Sequence, residues 1–317
     1  MSLRESLIQW IPNFMLRIFT RPYIAGNSAQ SALTTADKLW KEKKVHSILD
    51  LLGEGIQNRE DVEAEVQEYL HIIDAIGDRE YVSIALKPTQ MGLTFDPEYC
   101  EANIARVIEK AEPKGIHVAI DMEEEEYVTD TLKMYRRLHD RFKAVGTVIQ
   151  SRLFRTEQDI AEHLQGFKGH IRLCIGIYLE PPDIAYQKKP EMKENFFKLL
   201  PKLWDAGHFV GIATHDEALI RRCLQLAEEL NIPKDQYELQ MLLGVPRDLI
   251  QQDAIQNGID VALYVPYGTT WNNAYAYAKR RLAENPSIGF YVLGNLLKRF
   301  WTFITGKNQA ALPPKSK

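Results

Sequence analysis

Short apolar runs alternate with longer amphipathic stretches along most of this chain. From His46 onward there are eight such runs, and their aliphatic and β-branched content favours buried strands. They cover residues 47–52, 81–86, 117–120, 146–149, 171–176, 209–213, 237–242 and 260–265. The turn-forming residues Pro266 and Gly268 predict that the last run ends at about residue 265.

Helical periodicity fills the intervals between the runs. The predicted helices cover residues 61–76, 97–114, 126–142, 157–167, 192–206, 216–230 and 247–257, and a further helix at 28–43 precedes the first run. Nearly all-apolar strands that alternate with helices indicate a parallel sheet covered by helices. Eight such units predict a closed (β/α)8 TIM-like barrel. An open doubly wound sheet is the alternative, but its glycine fingerprint is missing from the sequence.

The same pattern predicts one main domain. We place the barrel at residues 46–300, an N-terminal helical arm at 1–45 and a C-terminal tail at 301–317, with a C-terminal helix near the barrel mouth. Residues 1–20 have helical apolar spacing with Arg4 and Arg17 interspersed. This segment either packs on the barrel or lies in a membrane interface, and packing is the default interpretation.

The composition and the missing motifs argue against several classes of function. The 317 residues are 45% hydrophobic and 26% charged, as in a globular protein with a sizeable core. A net charge of −4 gives no case for nucleic acid binding. The sequence shows no run of 18 apolar residues, no secretory leader, and no G-x-G-x-x-G, Walker or H-E-x-x-H motif. Three widely separated cysteines fit a reducing compartment, so we expect a cytoplasmic protein.

Polar residues stand at or just past the end of every predicted strand. In a (β/α)8 barrel these ends form the active-site face. Because their strands are neighbours, we expect Lys87 and Asp121 to lie side by side as an ion pair. The residues at the strand ends are Asp50, Glu54, Lys87, Asp121, Gln150, Arg172, Tyr178, His215, Gln240 and Tyr264.

The stretch after the last predicted strand carries adjacent arginines. Tyr277 precedes Arg280 and Arg281 by three and four residues, which on a helix places it beside both. Two neighbouring guanidinium groups are costly unless an anion neutralises them, and arginine suits a carboxylate because its planar fork donates two parallel hydrogen bonds. A solvated helix face is the alternative interpretation.

Several motifs together resemble the proline dehydrogenases, which are flavoenzymes built on a TIM-like barrel. The resemblance spans roughly residues 20–300, in order. It rests on Y-V-P-Y-G from Tyr264, Y-x-x-R-R-L-x-E-N from Tyr277, L-K-x-T-x-x-G around Lys87, I-D-M-E around Asp121, Gln150, R-L-C-I-G-I-Y from Arg172, A-T-H-D at Thr214 and His215, and the strand segment containing Gln240.

The resemblance implies a role for each matching residue. Lys87, Arg280 and Arg281 would clamp a substrate carboxylate, Tyr264, Tyr277 and Tyr178 would wall its ring, and Asp121 would hold the cationic side chains. FAD would be bound by Gln150, Arg172, Tyr178, Thr214, His215 and Gln240. The implied reaction is the oxidation of L-proline to 1-pyrroline-5-carboxylate, with hydride passing from C5 to flavin N5 and electrons then passing to a quinone. Oxidation of another cyclic imino acid, such as hydroxyproline, and a flavin-deficient barrel that binds a ligand are the alternatives.

Some positions depart from the family pattern. Ile175 stands where relatives have lysine, Ile177 where they have alanine, and Leu51 where they have histidine. If strand alternation continues, Ile175 and Ile177 face the same way. We therefore expect weaker proline activity than in typical relatives.

Both ends of the chain suggest peripheral membrane contact. Residues 1–19 and 290–304 are apolar and aromatic, with Arg4, Arg17, Lys298 and Arg299 among them. This combination suits the surface of an anionic bilayer, here the inner face of the plasma membrane, where a quinone acceptor is found.

Overall fold

The computed structural model describes residues 22–53 and 56–271. Eight parallel strands close into a barrel, in which each strand pairs with the next and β8 pairs with β1. The strands are β1 (His46–Leu52), β2 (Val82–Leu86), β3 (Val118–Ile120), β4 (Val145–Gln150), β5 (His170–Cys174), β6 (Phe209–Ala213), β7 (Tyr237–Leu242) and β8 (Asp260–Gly268). The predicted closed barrel is confirmed.

Among residues 22–53 and 56–271, seven helices connect successive strands on the outside of the barrel and one helix precedes β1. They are α1 (Ala29–Lys43), α2 (Arg59–Ile76), α3 (Pro97–Ala111), α4 (Glu125–Arg141), α5 (Thr156–His163), α6 (Lys189–Asp205), α7 (Glu217–Glu229) and α8 (Asp248–Gln256). Short 3-10 turns at Glu112–Lys114 and Lys234–Gln236 lead into β3 and β7. In the described part of the chain, no helix has both the length and the apolar character needed to span a bilayer.

Side-chain caps fix the starts of several helices. The side chain of Ser28 accepts from the backbone N–H of Ser31, and Ser31 bonds back to the backbone of Ser28. The side chains of Asn58, Asp96 and Asp216 each accept from one backbone N–H in the first turn of α2, α3 and α7, which satisfies amide groups that have no partner inside the helix. These caps place the helix starts close to the residues that sequence periodicity predicts.

The barrel has an apolar outer layer and a polar interior. Alternate strand residues such as Ile84, Leu86, Val118 and Ile120 pack under the helices in the main hydrophobic core. Inside the barrel the apolar contribution is small: Ile48, Ala85, Ala119 and Ala262 form a separate cluster with Tyr264 against it. Charged and amide side chains, among them Arg172, Glu238 and Gln240, also lie inside the barrel, so its centre holds polar groups.

Two predicted strand ends differ from the structure by more than one residue. β8 runs three residues further than predicted, to Gly268, because residues 266–268 pair with Asp50, Leu51 and Leu52 of β1. Proline lacks only a donor, and the carbonyl of Pro266 still accepts a hydrogen bond from the amide of Ala25 (2.8 Å). β5 ends at Cys174, two residues earlier than predicted, where Gly176 takes a backbone φ of +95° that breaks the strand.

The N-terminal segment at residues 22–26 lies across the end of β8. Besides the bond from Ala25, the amide of Gly268 donates to the carbonyl of Gly26 at 3.0 Å. Ile24 packs on Leu52, with Tyr23 and Trp271 against them. This segment therefore ties the start of the described chain to the C-terminal ends of β8 and β1.

Candidate active site

The C-terminal ends of the strands bring a cation and two carboxylates together. Lys87 follows β2, and its Nζ lies 2.5 Å from Asp50 Oδ1 and 3.6 Å from Asp121 Oδ2. The predicted pairing of Lys87 with Asp121 is confirmed, and Asp50 of β1 is the nearer partner. Lys87 Nζ also lies 3.3 Å from the hydroxyl of Tyr264 on β8. Three strands thus hold one ammonium group in place.

Asp121 connects this ammonium group to a guanidinium group deeper in the barrel. Its Oδ1 accepts from Nη1 of Arg172 at 2.5 Å, and its Oδ2 accepts from the hydroxyl of Tyr264. Asp121 is only 9% exposed. Charge-assisted hydrogen bonds of this kind are shorter and stronger than neutral ones, so the carboxylate fixes both the cation and the phenol.

Arg172 is held from a second side by an amide. Its Nε donates to Oε1 of Gln240 at 2.5 Å, and Nε2 of Gln240 donates to Oε1 of Glu238 at 2.6 Å. We call Glu238, Gln240 and Arg172 the inner relay. Both ends of the Gln240 amide are therefore used inside the barrel.

Burial shifts the acid–base behaviour of the cluster. Loss of solvent raises the pKa of Asp50, and Lys87 only partly opposes this. Burial also works against the charged form of Lys87, but Asp50 and Asp121 outweigh it, so the pKa of Lys87 is raised. Burial, reinforced by Asp121, raises the pKa of Tyr264 well above its usual value. At neutral pH Lys87 is a cation that faces the mouth of the barrel.

Gln150 ends β4 and is fixed by its neighbours. Its Nε2 donates to the carbonyl of Glu123 at 2.7 Å. Glu123 in turn accepts from the amide and the hydroxyl of Thr89, at 2.8 and 2.7 Å, which anchors the loop after Lys87. Gly176 lies against this amide, since a Cβ there would stand 2.4 Å from Oε1 of Gln150. The left-handed glycine thus leaves the space that Gln150 occupies.

The remaining described candidates lie around the same rim. Tyr178 lines the mouth cavity, and its carbonyl accepts from Arg152. Thr214 is buried, and its hydroxyl accepts from the amide of Asp216 at 3.2 Å. Nε2 of His215 accepts from the amide of Leu242 at 2.9 Å, which ties the loop after β6 to the end of β7. His215 therefore carries a structural hydrogen bond at the rim.

Ile175 and Ile177 have different surroundings, contrary to the expectation that they face the same way. Ile175 packs against the main hydrophobic core, whereas Ile177 is 42% exposed. The alternation fails because the strand has already ended at Cys174 and Gly176 turns the backbone. A lysine at position 175 would therefore enter partly apolar surroundings in this chain.

A cavity of about 480 Å3 opens at the mouth beside these side chains. Acidic and aromatic residues surround Lys87 there. The cavity is lined by Leu52, Gly53, Lys87, Thr89, Gln90, Glu123, Glu124, Glu126, Tyr127 and Tyr178. Glu54, Tyr277, Arg280 and Arg281, which the sequence also predicts at the mouth, lie outside the described residues.

Three features of the site were absent from the sequence prediction. Asp50 was recognised as a strand-end residue but not as the nearest partner of Lys87. Glu238 lies inside a predicted strand, where one glutamate in an alternating run gives a weak signal of an inward carboxylate. Arg152 has an Nε that is buried and has no hydrogen-bond partner among the described residues, which no sequence pattern could reveal.

Comparison with known proteins places this site in a family. The sequence profile of the proline dehydrogenase family matches residues 32–289. This chain belongs to that family. Its membership makes it an oxidoreductase.

Individual relatives agree with the profile. Proline dehydrogenase 2 of Bacillus subtilis is 34% identical over 276 residues, covering 87% of this chain and 89% of the relative. The proline dehydrogenase of Deinococcus radiodurans is 36% identical over 282 residues, again covering 87% of this chain and 89% of the relative.

Solved structures share the fold. Proline utilization A from Bdellovibrio bacteriovorus superposes with a TM-score of 0.77 at 23% identity, covering 84% of this chain. This chain spans 32% of the length of that protein, so the likeness concerns one part of a longer polypeptide.

Proposed function

We propose that this protein catalyses the FAD-dependent oxidation of L-proline to 1-pyrroline-5-carboxylate, the first step of proline catabolism. The observation that carries the proposal is the convergence of Lys87, Asp121, Arg172 and Tyr264 at the mouth of a barrel of this family. Bound FAD would supply the hydride acceptor, and a quinone would be the final electron acceptor. The protein's own residues would bind and orient the substrate.

Lys87 would bind the proline carboxylate together with Arg280 and Arg281. Asp50 and Asp121 hold the Lys87 ammonium from below, so it meets an incoming anion without reorganising. Tyr264, Tyr178 and Tyr277 would wall the pyrrolidine ring. When its carboxylate is bound, proline can present C5 to the flavin in only one orientation. Such alignment of the reacting atoms is the main way in which the site would accelerate this reaction.

The residues present fit a flavin. Arg172 and Arg152 supply cationic donors at the floor and rim, and the buried Nε of Arg152 finds no partner among the described residues. Gln150 ends β4 at this rim, and the missing side chain of Gly176 leaves the room in which its amide lies. We propose that Gln150, Arg172, Tyr178, Thr214, His215 and Gln240 form the cofactor site.

A quinone acceptor and peripheral membrane contact complete the proposal. The sequence at residues 1–19 and 290–304 combines apolar, aromatic and basic residues. Such segments bind anionic bilayers through both burial and charge. Sedimentation of the protein with anionic vesicles at low salt, and its release at high salt, are the expected results.

The decisive experiment is anaerobic reduction of the purified protein by substrate. The protein should carry FAD, and its visible flavin absorption should bleach on addition of L-proline and much less on addition of 4-hydroxyproline. Lys87→Met should raise the KM for proline by at least tenfold, whereas Lys110→Met, which removes a half-buried lysine that is paired with Asp74 on the outside of the barrel, should not. A protein that takes up no FAD would contradict the proposal, and faster bleaching by hydroxyproline would reassign the substrate.

A further inference from the structure

Glu238 lies on the inner face of β7, at the end of the barrel opposite the mouth. It lines a small polar cavity there with Ser83, His117, His170 and Arg172. Its Oε1 accepts from Nε2 of Gln240 at 2.6 Å. The two residues are two positions apart on one strand, so both side chains point into the barrel. Neither the substrate nor a flavin at the mouth would touch Glu238 directly.

Two contacts together fix which way the Gln240 amide points. Nε of Arg172 can only donate and Glu238 offers an accepting oxygen, so the amide turns its oxygen toward Nε, 2.5 Å away, and its NH2 toward Glu238. The reverse orientation would bring two donors together at the guanidinium and two acceptors together at Glu238. Glu238 thereby fixes an acceptor beneath Arg172.

Gly211 on β6 provides the space in which the amide lies. A Cβ at this position would stand 2.5 Å from Nε2 and 2.7 Å from Cδ of Gln240, closer than such atoms approach in proteins. Both the hydrogen-bond partner and the space for Gln240 are thus built into neighbouring strands. This is a second observation, independent of the hydrogen bonds, that the position of the amide is specified.

We propose that Glu238 is a positioning residue for the flavin site, acting through Gln240 to hold the Arg172 guanidinium in place below the bound ring. The inference rests on the proposed function, because the ring that Arg172 would face is that of the flavin. The Arg172 guanidinium is held at Nε by Gln240 of the inner relay and at Nη1 by Asp121. Without the hydrogen bond at Nε, the guanidinium can rotate about the remaining bond to Asp121.

A substitution at Glu238 can separate the effect of its hydrogen bond to Gln240 from the effect of its charge. Burial raises the pKa of Glu238 to about 7, against the opposing effects of Gln240 and Arg172. The other titratable groups that face it across the cavity or act on it are Asp260, His117 and His170. Whether ionised or protonated, the carboxyl keeps an oxygen that can accept from Gln240. Glu238→Gln should therefore preserve the hydrogen bond while removing the charge.

The test compares four variants of the full-length protein. Glu238→Ala removes the partner of Gln240, and Gly211→Ala pushes the amide aside while its backbone can accept an alanine. Glu238→Gln is the conservative replacement. Ser83→Ala alters the same cavity outside the relay and is the control. The first readout is kcat and KM for L-proline, and the second is the Nε–H NMR signal of Arg172 in flavin-free protein labelled with 15N-arginine and assigned with Arg172→Lys.

Glu238→Ala and Gly211→Ala should each lower kcat by roughly 10- to 100-fold with a much smaller change in KM. Both should also lose the slowly exchanging Nε–H signal of Arg172. Glu238→Gln and Ser83→Ala should keep the signal and stay within about threefold of the parent kcat.

The outcomes distinguish this inference from the proposed function. If the parent protein reduces flavin with proline but Glu238→Ala and Gly211→Ala leave both kcat and the Nε–H signal intact, the positioning role is refuted. If Glu238→Gln loses as much as Glu238→Ala, the charge rather than the hydrogen bond matters, and the proposal as stated fails. A parent protein that shows no proline-dependent reduction refutes the proposed function, while the flavin-free NMR comparison still decides whether Glu238 positions Arg172.

Discussion

Lys87 lies closer to Asp50 than to Asp121: its Nζ is 2.5 Å from the first carboxylate and 3.6 Å from the second. Asp50 is 1% exposed, so its charge is isolated from solvent and depends on the lysine. Removing one partner of a buried pair leaves the other uncompensated, which is costly. The pair therefore couples the protonation of Lys87 to a residue that substrate would not touch.

Asp50→Asn should move the loss of activity at high pH to a lower pH. Asp50 is the first of the carboxylates that raise the pKa of Lys87, so its removal lowers that pKa, and Lys87 loses its proton sooner as the pH rises. Proline binding, measured as KM against pH, should weaken on the basic side. Asp74→Asn, on the exposed end of α2, is the control and should leave the profile unchanged. An unshifted profile in Asp50→Asn would show that Lys87 does not bind the carboxylate.

Gly176→Ala should reduce both stability and flavin retention. Position 176 has a φ of +95°, which costs an alanine about 1–3 kcal/mol, and the new Cβ would collide with Oε1 of Gln150. Gly166→Ala is a matched control, because it has a φ of +81° and no atom within 4 Å of the new Cβ. Both variants should melt earlier than the parent, but only Gly176→Ala should lose FAD during gel filtration. Equal FAD retention would argue against Gln150 as a cofactor ligand.

Glu65→Gln should stabilise the protein at pH 8 more than at pH 5. Burial, helped by Glu68 and Asp50, raises the pKa of Glu65 to about 7, and its buried Oε2 has no hydrogen-bond partner among the described residues. The folded state thus holds a proton that the unfolded state releases, so the side chain lowers the free energy of unfolding as the pH rises from about 4.5 to 7. We expect a gain of roughly 1–3 kcal/mol at pH 8 and less than about 1 kcal/mol at pH 5.

Thermal unfolding of the flavin-free protein at the two pH values checks this expectation. Glu60→Gln, on the exposed first turn of the same helix, is the control and should show no such difference between pH 5 and pH 8. A Glu65→Gln variant whose stabilisation is the same at both pH values would contradict the assignment.

Arg281→Met should abolish proline turnover while FAD stays bound. The sequence predicts that Arg281 forms half of a carboxylate clamp with Arg280, and truncating a desolvated charge pair typically costs about 2–5 kcal/mol. Steady-state kinetics with a flavin absorption spectrum of the same sample provides the measurement. Arg221→Met, an exposed arginine on α7, is the control. A variant that keeps its KM for proline would show that the carboxylate is bound elsewhere.

The sequence could predict the barrel and part of its site for a physical reason. Alternation between strands and helices is local, and the order of strands in a (β/α)8 barrel follows the order in the chain. Neighbouring strand ends therefore had to bring Lys87 near Asp121. The preference for Asp50 over Asp121 could not be predicted, because β1 and β3 both neighbour β2 and the side-chain distances depend on how the lysine extends between them.

The sequence also could not predict which side chains contact each other deep inside the barrel. Gln240 and Arg172 were expected at the rim, but their mutual contact and that of Glu238 depend on the stagger between β5 and β7. The expectation for Ile175 and Ile177 failed at a single residue, Gly176, since a positive φ ends the alternation on which it relied. A glycine in a predicted strand permits such a turn, but its presence alone does not show that the turn occurs.

The strap formed by residues 22–26 connects the segment before α1 to the strand ends around Asp50. It is bonded to Pro266 and Gly268, and these residues pair with Asp50 and Leu52 on β1. A fusion tag joined directly before residue 22, or a deletion that removes the strap, would thus act on the setting of Asp50 as an active-site mutation does. Kinetic constants measured on such a shortened protein would describe a barrel mouth with an altered arrangement around Asp50, and the end of β8 would lose the cover that residues 22–26 now give it.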